Sequence, residues 1–382
     1  MSTGTVVLHR FSGCDHEIGA QQGRTLRAQI RALLEDVRTL DAVKAMKPRL
    51  LPVFLFLAMA RRRASKLLAE DIFEYYPRQA QRIKGIAEGA GLDLSTALFI
   101  QSLELLIGKP TFRIQACTSL GFSAQKTSAK EAIVAKNFDY LNIAAPYNLT
   151  RETKPEGGYK TLGCTMPPLA GMIDGMNEHG LTVTYNLAYS TDRPKHYAPL
   201  SLALQEMLET CKRADEAVEH ITRAKRGGHD ALLMIADAEG DVKAVEISSN
   251  HHAVREMTHG QIINTNHYLT EEMREFEIPH NAVHFGRGES PHLSGTRVHE
   301  SSERRLERVE ELIKDGTLVD EGDIVDVLRD HGKDIAPSGN TICRHDAYAS
   351  TLRSMIFFPQ RRTVKVLYGK TCQSQYNEFT FA

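Results

Sequence analysis

The octapeptide Gln115-Ala116-Cys117-Thr118-Ser119-Leu120-Gly121-Phe122 divides the chain into two textures. That division constrains the fold more than any other feature. Before it, apolar residues recur at helical spacing, as in Leu26, Ile30, Leu33, Leu34, Val37 and Leu40. From Cys117 onward, small and β-branched residues alternate with larger ones, which suits strands. A helical first third followed by strands, a helix pair, strands, helices and strands fits two stacked sheets sandwiched by helices.

Cys117 opens the first of those strands. One reading is a buried thiol packed as a small hydrophobe. The other is a nucleophile. The small residue Ala116 leaves its carbonyl open to attack by the neighbouring thiol. Addition would give a thioester at Ala116 and a free amine on Cys117, and water would then release residues 1–116. Such an amine has a pKa of about 7.7–8.0 and can serve as base for its own thiol near neutrality.

The length of 382 residues suits one large domain or two ordinary ones, and 42% hydrophobic with 25% charged residues supports a sizeable core. A net charge of −1 gives no reason to expect nucleic acid or a charged membrane as partner. Six cysteines without CxxC pairing fit reduced thiols. The N-terminus lacks a basic-then-apolar signal segment, so a cytoplasmic protein is expected.

Residues 16–40 predict a helix. Residues 50–60 are the most apolar run, too short to span a bilayer and interrupted by Pro52; a core helix capped by solvated Arg61, Arg62 and Arg63 is expected ahead of the alternative, a substrate-pocket lid or membrane-touching helix. The Gly85-Ile86-Ala87-Glu88-Gly89-Ala90-Gly91 run is expected to end a helix and is not a phosphate loop. Residues 94–107 predict a further helix. Beyond Cys117, strands are expected at 169–173, 181–186, 231–237, 242–248, 261–266, 354–358 and 364–368, with helices at 200–211, 214–225, 302–314 and 321–331. His280 and His284, and the adjacent His251 and His252, lack the partners that would complete a metal set, so no metal and no cofactor are expected.

Taken together, several motifs resemble the penicillin acyltransferase family of N-terminal-nucleophile (Ntn) hydrolases over nearly the whole chain. They are Ile18-Gly19 with Gly23, the Gly85–Gly91 run, Cys117-Thr118-Ser119 and Asn137-Phe138-Asp139-Tyr140. They continue with Gly175-Met176-Asn177-Glu178-His179-Gly180-Leu181, Asn264-Thr265-Asn266-His267 and Ser302-Glu303-Arg304-Arg305. Ile342-Cys343-Arg344-His345 and Gly369-Lys370-Thr371-Cys372 complete the series. The resemblance implies an α+β, αββα four-layer sandwich of mostly antiparallel sheets. It also implies a zymogen that cuts itself before Cys117, giving a helical segment 1–116 and a catalytic segment 117–382 that stay associated as one domain.

By the same resemblance, Cys117 is the nucleophile and Asp139 the carboxylate beside it. The Asn186 amide N–H would meet the oxyanion, Asn266 is a second active-site asparagine beside its competitor Asn264, and Arg305 is the family arginine, with Arg304 a surface charge. Lys136 stands where bile-salt hydrolases carry arginine, which argues against a bile-salt substrate. Ala116 replaces the glycine many relatives carry before the nucleophile. His345 is expected to be structural.

The implied function is hydrolysis of a small N-acyl amide through a thioester. Transfer of an acyl group from an amide or acyl-coenzyme A donor to an amine is the near variant. Two other readings compete: a papain-like protease using Cys117, His267 and Asn266, although the chain has no tryptophan, and an inactive scaffold. The expected partner is a small amide or acyl donor, without nucleic acid or stable membrane insertion.

Overall fold

Among the described residues, the helical periodicity of the first third becomes five helices. The computed structural model describes residues 5–39, 48, 50–106, 117–227, 230–284, 293–332 and 336–382, without the side chains of 103–106. Ala116 and residue 107 therefore lie outside the described residues. Helix α1 (Asp15–Thr25) and α2 (Arg27–Thr39) replace the single helix expected over 16–40. They break at Leu26, which turns into the core together with Ile30.

Helix α3 (Val53–Tyr75) takes Arg61, Arg62 and Arg63 into its own length. Its apolar first half is not core: Phe54 is 70% exposed, and the buried residues are Leu68 and Ile72 in the second half. Helix α4 (Pro77–Ala90) starts on a proline, whose missing N–H costs nothing at a first-turn position, and Gly91 at φ +67° ends it. Helix α5 (Leu94–Leu106) follows.

Gly85 and Gly89 lie inside α4, not at its end, and they face Gly19 and Gly23 of α1. A Cβ on Gly85 would sit 2.1 Å from the His16 carbonyl oxygen, and one on Gly19 would sit 2.1 Å from that of Arg82. The two helices touch backbone to backbone, which only glycine allows.

One sheet has eight strands in the order β1 (Leu8–Gly13), β4 (Leu149–Pro155), β5 (Thr161–Thr165), β6 (Asp174–Asn177), β7 (Thr182–Leu187), β8 (Ala231–Ala236), β9 (Val242–Ile247) and β10 (His252–Arg255). The other has six, in the order β11 (Gln261–Asn264), β2 (Thr118–Phe122), β3 (Ile133–Leu141), β12 (Ala349–Phe358), β13 (Thr363–Tyr368) and β14 (Asn377–Thr380). All neighbours are antiparallel except β1 and β4.

The expected strand at 169–173 is a loop, and the strand starts at Asp174. The Arg151 guanidinium takes the carbonyls of Leu169, Ala170 and Gly171 at 3.0, 2.7 and 2.8 Å, so these groups satisfy a buried cation and are not used in a ladder.

The sheets face each other through β2 and β3 against β7 and β8. Helices α6 (Leu200–Thr210) and α7 (Ala214–Arg223) cover the eight-stranded sheet together with α1. After the short α8 (Glu271–Arg274), α9 (Glu300–Leu312) and α10 (Glu321–Arg329) cover the six-stranded one. There Leu120, Phe122, Ile133, Ile356 and Phe358 pack against Val309, Ile324, Val327 and Leu328. The result is an α+β sandwich in four layers, αββα. Among the described residues no helix is long and apolar enough to cross a membrane.

Candidate active site

Cys117 is the residue immediately before β2, and its two neighbouring strands assemble the site. On one side Asn264 of β11 lies opposite Ser119. Two residues further, the antiparallel register brings Asn266 to Cys117, whose backbone N–H donates to Asn266 Oδ1 at 2.7 Å. On the other side Thr118 pairs with Asn137 of β3, so Asp139 lies alongside the strand start. Thr351 of β12 is opposite Asp139, and its hydroxyl donates to Asp139 Oδ1 at 2.7 Å.

Arg305 reaches in from α9. It donates to the Cys117 carbonyl, to Thr118 Oγ1 at 2.9 Å and to Asn266 Oδ1 at 2.8 Å. Asn266 Oδ1 thus accepts from both Cys117 and Arg305, while Asn266 Nδ2 donates to the Leu187 carbonyl at 2.6 Å. Arg304, one residue away, is on the surface and pairs with Glu300 at 2.7 Å. Asn264 turns elsewhere: its Nδ2 donates to the Leu233 carbonyl at 3.2 Å, and its Oδ1 meets Arg255.

The structure places Asn186 one step back from Cys117. Its Nδ2 donates to the carbonyls of Asn264 and Thr265, each at 3.0 Å, and its Oδ1 accepts from Ser119 Oγ at 2.6 Å. In this arrangement it ties β7 to the end of β11 and to β2.

Burial dominates the electrostatics. Cys117 is 3% exposed, and its thiol is pushed above the usual range by burial. The Lys136 charge and a hydrogen bond from the Asp139 backbone oppose that rise. Burial raises Asp139 to about 6 against the pull of Arg305, its Thr351 hydrogen bond, Arg344 and Lys136. Asp139 Oδ2 is buried without a hydrogen-bond partner. Burial lowers Arg305 to about 10, which leaves it charged near neutrality. Lys136 Nζ meets Asp174 Oδ1 at 2.6 Å and the Tyr185 carbonyl, and Arg353 meets Asp174 Oδ2 at 3.0 Å. Two buried cations therefore share one carboxylate beside the cysteine.

A cavity of about 200 Å³ opens against Asn266, Ser302, Arg305 and Arg344, adjoining the groups that hold Cys117. Ser302, three residues before Arg305 on the same helix face, accepts from the Asn266 N–H at 2.6 Å. Its position in Ser302-Glu303-Arg304-Arg305 is the one signal that exposes it in the sequence. Arg344 is exposed in the same way by Ile342-Cys343-Arg344-His345, whereas Asp174, Thr351 and Arg353 carry no such signal, because only strand register and sheet stacking bring them here.

His267 bonds Ser302 through Nδ1 at 2.7 Å, and burial drives it down to about 3, so it is no base near neutrality. Its Nδ1 thus faces Ser302 and not the Cys117 thiol that a papain-like arrangement would pair it with. His280 pairs with Glu303 at 3.1 Å and His251 with Asp192 at 3.3 Å. Among the described residues, none of these histidines belongs to a group of three or more side chains that could hold a metal ion.

The family comparison supports an enzyme of the acyltransferase kind. The chain belongs to the acyl-coenzyme A:6-aminopenicillanic acid acyl-transferase family, whose profile matches residues 126–373. The matched span starts downstream of Cys117 and contains Asp139, Asn186, Asn266 and Arg305. Similar solved structures include a Caenorhabditis elegans N-acylethanolamine-hydrolyzing acid amidase ortholog, at 17% identity over 64% of this chain and 93% of that one, with a TM-score of 0.42. A variant of the conjugated bile acid hydrolase from Clostridium perfringens is 14% identical over 70% and 97%, with a TM-score of 0.43. Penicillin V acylase from Agrobacterium tumefaciens is 14% identical over 69% and 86%, with a TM-score of 0.39.

Proposed function

We propose that this chain is a self-processing cysteine hydrolase that cleaves the amide bond of a small N-acyl compound. The observation that carries the reading is the double hold on Cys117: Asn266 accepts from its N–H while Arg305 donates to its carbonyl. Such a clamp fixes the residue whose sulfur and nitrogen both have to react.

In processing, Cys117 Sγ adds to the Ala116 carbonyl carbon and the Ala116–Cys117 C–N bond breaks. The nitrogen takes up the thiol proton and becomes an α-amine. Water then hydrolyses the Ala116 thioester, giving a carboxylate and a free thiol. The new amine remains within reach of Asn266 Oδ1, which now holds its peptide predecessor at 2.7 Å.

In turnover the amine takes the Cys117 proton as sulfur adds to the substrate carbonyl. It returns that proton to the leaving nitrogen, and water entering the same site hydrolyses the acyl-enzyme. Asp139 stabilises the ammonium form, and Arg305, Lys136 and Arg353 bias the surroundings toward negative charge on sulfur and oxygen. In this reading Asn186 or Asn266 supplies the oxyanion donor once one amide hydrogen leaves its present carbonyl, a contribution of about 3–4 kcal/mol in acyl transfer.

The family supports the acyl-transfer variant, in which an amine and not water takes the acyl group from the thioester. Adding an amine acceptor to the assay separates the two by product ratio.

Denaturing mass analysis tests the proposal. The active wild-type protein should give residues 1–116 and 117–382 as separate masses, and Cys117→Ala should stay intact and lack amidase activity. An active wild-type protein that remains one uncut chain would overturn it.

A further inference from the structure

Four side chains that the reaction does not use converge at one end of the six-stranded sheet. His331 follows α10, Cys343 and His345 precede β12, and Cys372 follows β13. His345 Nε2 lies 3.1 Å from His331 Nε2, 3.3 Å from Cys372 Sγ and 3.6 Å from Cys343 Sγ. The four donor atoms all lie within 4.8 Å of one another, and among the described residues no other histidine, cysteine or carboxylate group converges in this way.

We propose that His331, Cys343, His345 and Cys372 form a four-ligand site for a zinc-class divalent ion. The donor set is two imidazole nitrogens and two thiols, the Cys₂His₂ combination of closed structural zinc sites. With metal–nitrogen bonds of about 2.0–2.1 Å and metal–sulfur bonds of about 2.3 Å, a tetrahedron has edges of roughly 3.3–3.8 Å. The distances from His345 match those edges to within a few tenths of an ångström. The two imidazole rings stand at 83° to each other, so they approach a common point from different directions. Without an ion, two ring nitrogens face each other and two thiols crowd the same point, where one proton at most can be shared between the rings.

The backbone already holds the ligands in place. The Cys343 N–H donates to the Asp330 carbonyl at 3.0 Å and the His345 N–H to the Ser338 carbonyl at 2.9 Å. Arg329 Nε donates to the Thr371 carbonyl at 3.1 Å, which fixes the turn that carries Cys372. Cys343 is buried, while the other three ligands are part-exposed and leave a path for the ion. The soft thiolates and tetrahedral spacing select zinc over magnesium or calcium, which take oxygen donors.

The ion would staple the loop after α10 to the turn after β13. It would also set a wall of the candidate active site. Arg344, between two ligands, lines the cavity, and its N–H donates at 2.9 Å to Thr351 Oγ1, the hydroxyl that donates to Asp139. Two sequence features hide the site: Cys343 and Cys372 have no CxxC spacing, and strands β12 and β13 intervene.

The test uses the full-length protein, stripped of metal under reducing conditions, dialysed against micromolar Zn(II) and desalted. Elemental analysis should find one zinc per chain. Loading with Co(II) instead should give the intense visible bands of a tetrahedral site and a thiolate-to-cobalt charge-transfer band, a readout that needs no variant. Cys343→Ser with Cys372→Ser should lower zinc content at least tenfold, whereas Cys211→Ser, outside the cluster, should keep it. A wild-type protein with less than a tenth of an equivalent of zinc and no cobalt bands would overturn the proposal. So would a Cys343–Cys372 disulfide in metal-free active protein, or a double variant that keeps its zinc. Failure to self-cleave bears only on the proposed function, since metal content does not depend on Cys117.

Discussion

The backbone N–H of Cys117 donates to the side-chain oxygen of Asn266 at 2.7 Å, across a separation of 149 residues. The same oxygen accepts from Arg305 at 2.8 Å, so one amide carbonyl joins the candidate nucleophile to the helix layer above it.

Asn266→Ala therefore removes the shared acceptor and leaves two buried donors without it. The expected loss is about 1–3 kcal/mol of stability, with processing and turnover each slowed by at least tenfold. Thermal melting and the rate of appearance of residues 117–382 measure both. Wild-type processing in this variant would remove Asn266 from the site.

Arg305→Lys keeps the charge and loses the fork. A lysine cannot reach the Cys117 carbonyl, Thr118 Oγ1 and Asn266 Oδ1 at once in the arginine's planar geometry. Turnover should fall by tenfold or more. Arg304→Ala, at the neighbouring exposed position, should change stability by less than about 0.5 kcal/mol and leave turnover unchanged. Equal effects of the two substitutions in a steady-state assay would contradict this assignment.

Asp139 gives stability and activity opposite slopes with pH. Its folded value of about 6 lies above the ordinary 3.8, so the folded state binds a proton that the unfolded state has released between those values. The contribution to stability is full below about 3.8 and is lost as pH rises through 6, a change on the order of 3 kcal/mol. Activity, which needs the carboxylate, should rise with pH, over an interval that the new α-ammonium beside Asp139 moves downward. Asp139→Asn should flatten the wild-type fall in melting temperature between pH 4 and 7 and lower turnover. A variant whose melting curve tracks wild type at every pH would refute the assignment.

Gly85→Ala sets two effects against each other. Alanine gains about 1 kcal/mol of helix propensity. Its Cβ, however, would lie 2.1 Å from the His16 carbonyl oxygen, a backbone atom that cannot move without shifting α1. Overpacking of this kind costs about 1–3 kcal/mol, so net destabilisation is expected. A higher melting point for Gly85→Ala would show that the helices separate freely.

Cys117, Asp139, Asn266 and Arg305 were legible because each lies in a short motif, and the folded chain brings all four together. Legibility stopped where a partner depends on register. Thr351 meets Asp139 only because β12 lies opposite β3, and Asp174 meets Lys136 only because the two sheets stack. Periodicity misplaced the strand at 169–173, since Leu169 to Gly171 give their carbonyls to Arg151 from a distant strand. It also made the run at 50–60 a core helix, because apolar spacing does not reveal whether anything packs on both sides. The glycines at 85 and 89 signalled a helix end, whereas their use is contact with α1.

Strand β1 lies in the eight-stranded sheet, paired with β4 from Leu8↔Thr150 to Gly13↔Pro155. The Gln22 side chain also bonds Arg151 and the carbonyls of Pro167 and Leu169. Severing the bond before Cys117 would consequently leave the first 116 residues woven into the rest as a laced-in edge. Under native chromatography the nicked and intact forms would co-elute at one hydrodynamic size. The severed product would come apart only when the sheet itself melts.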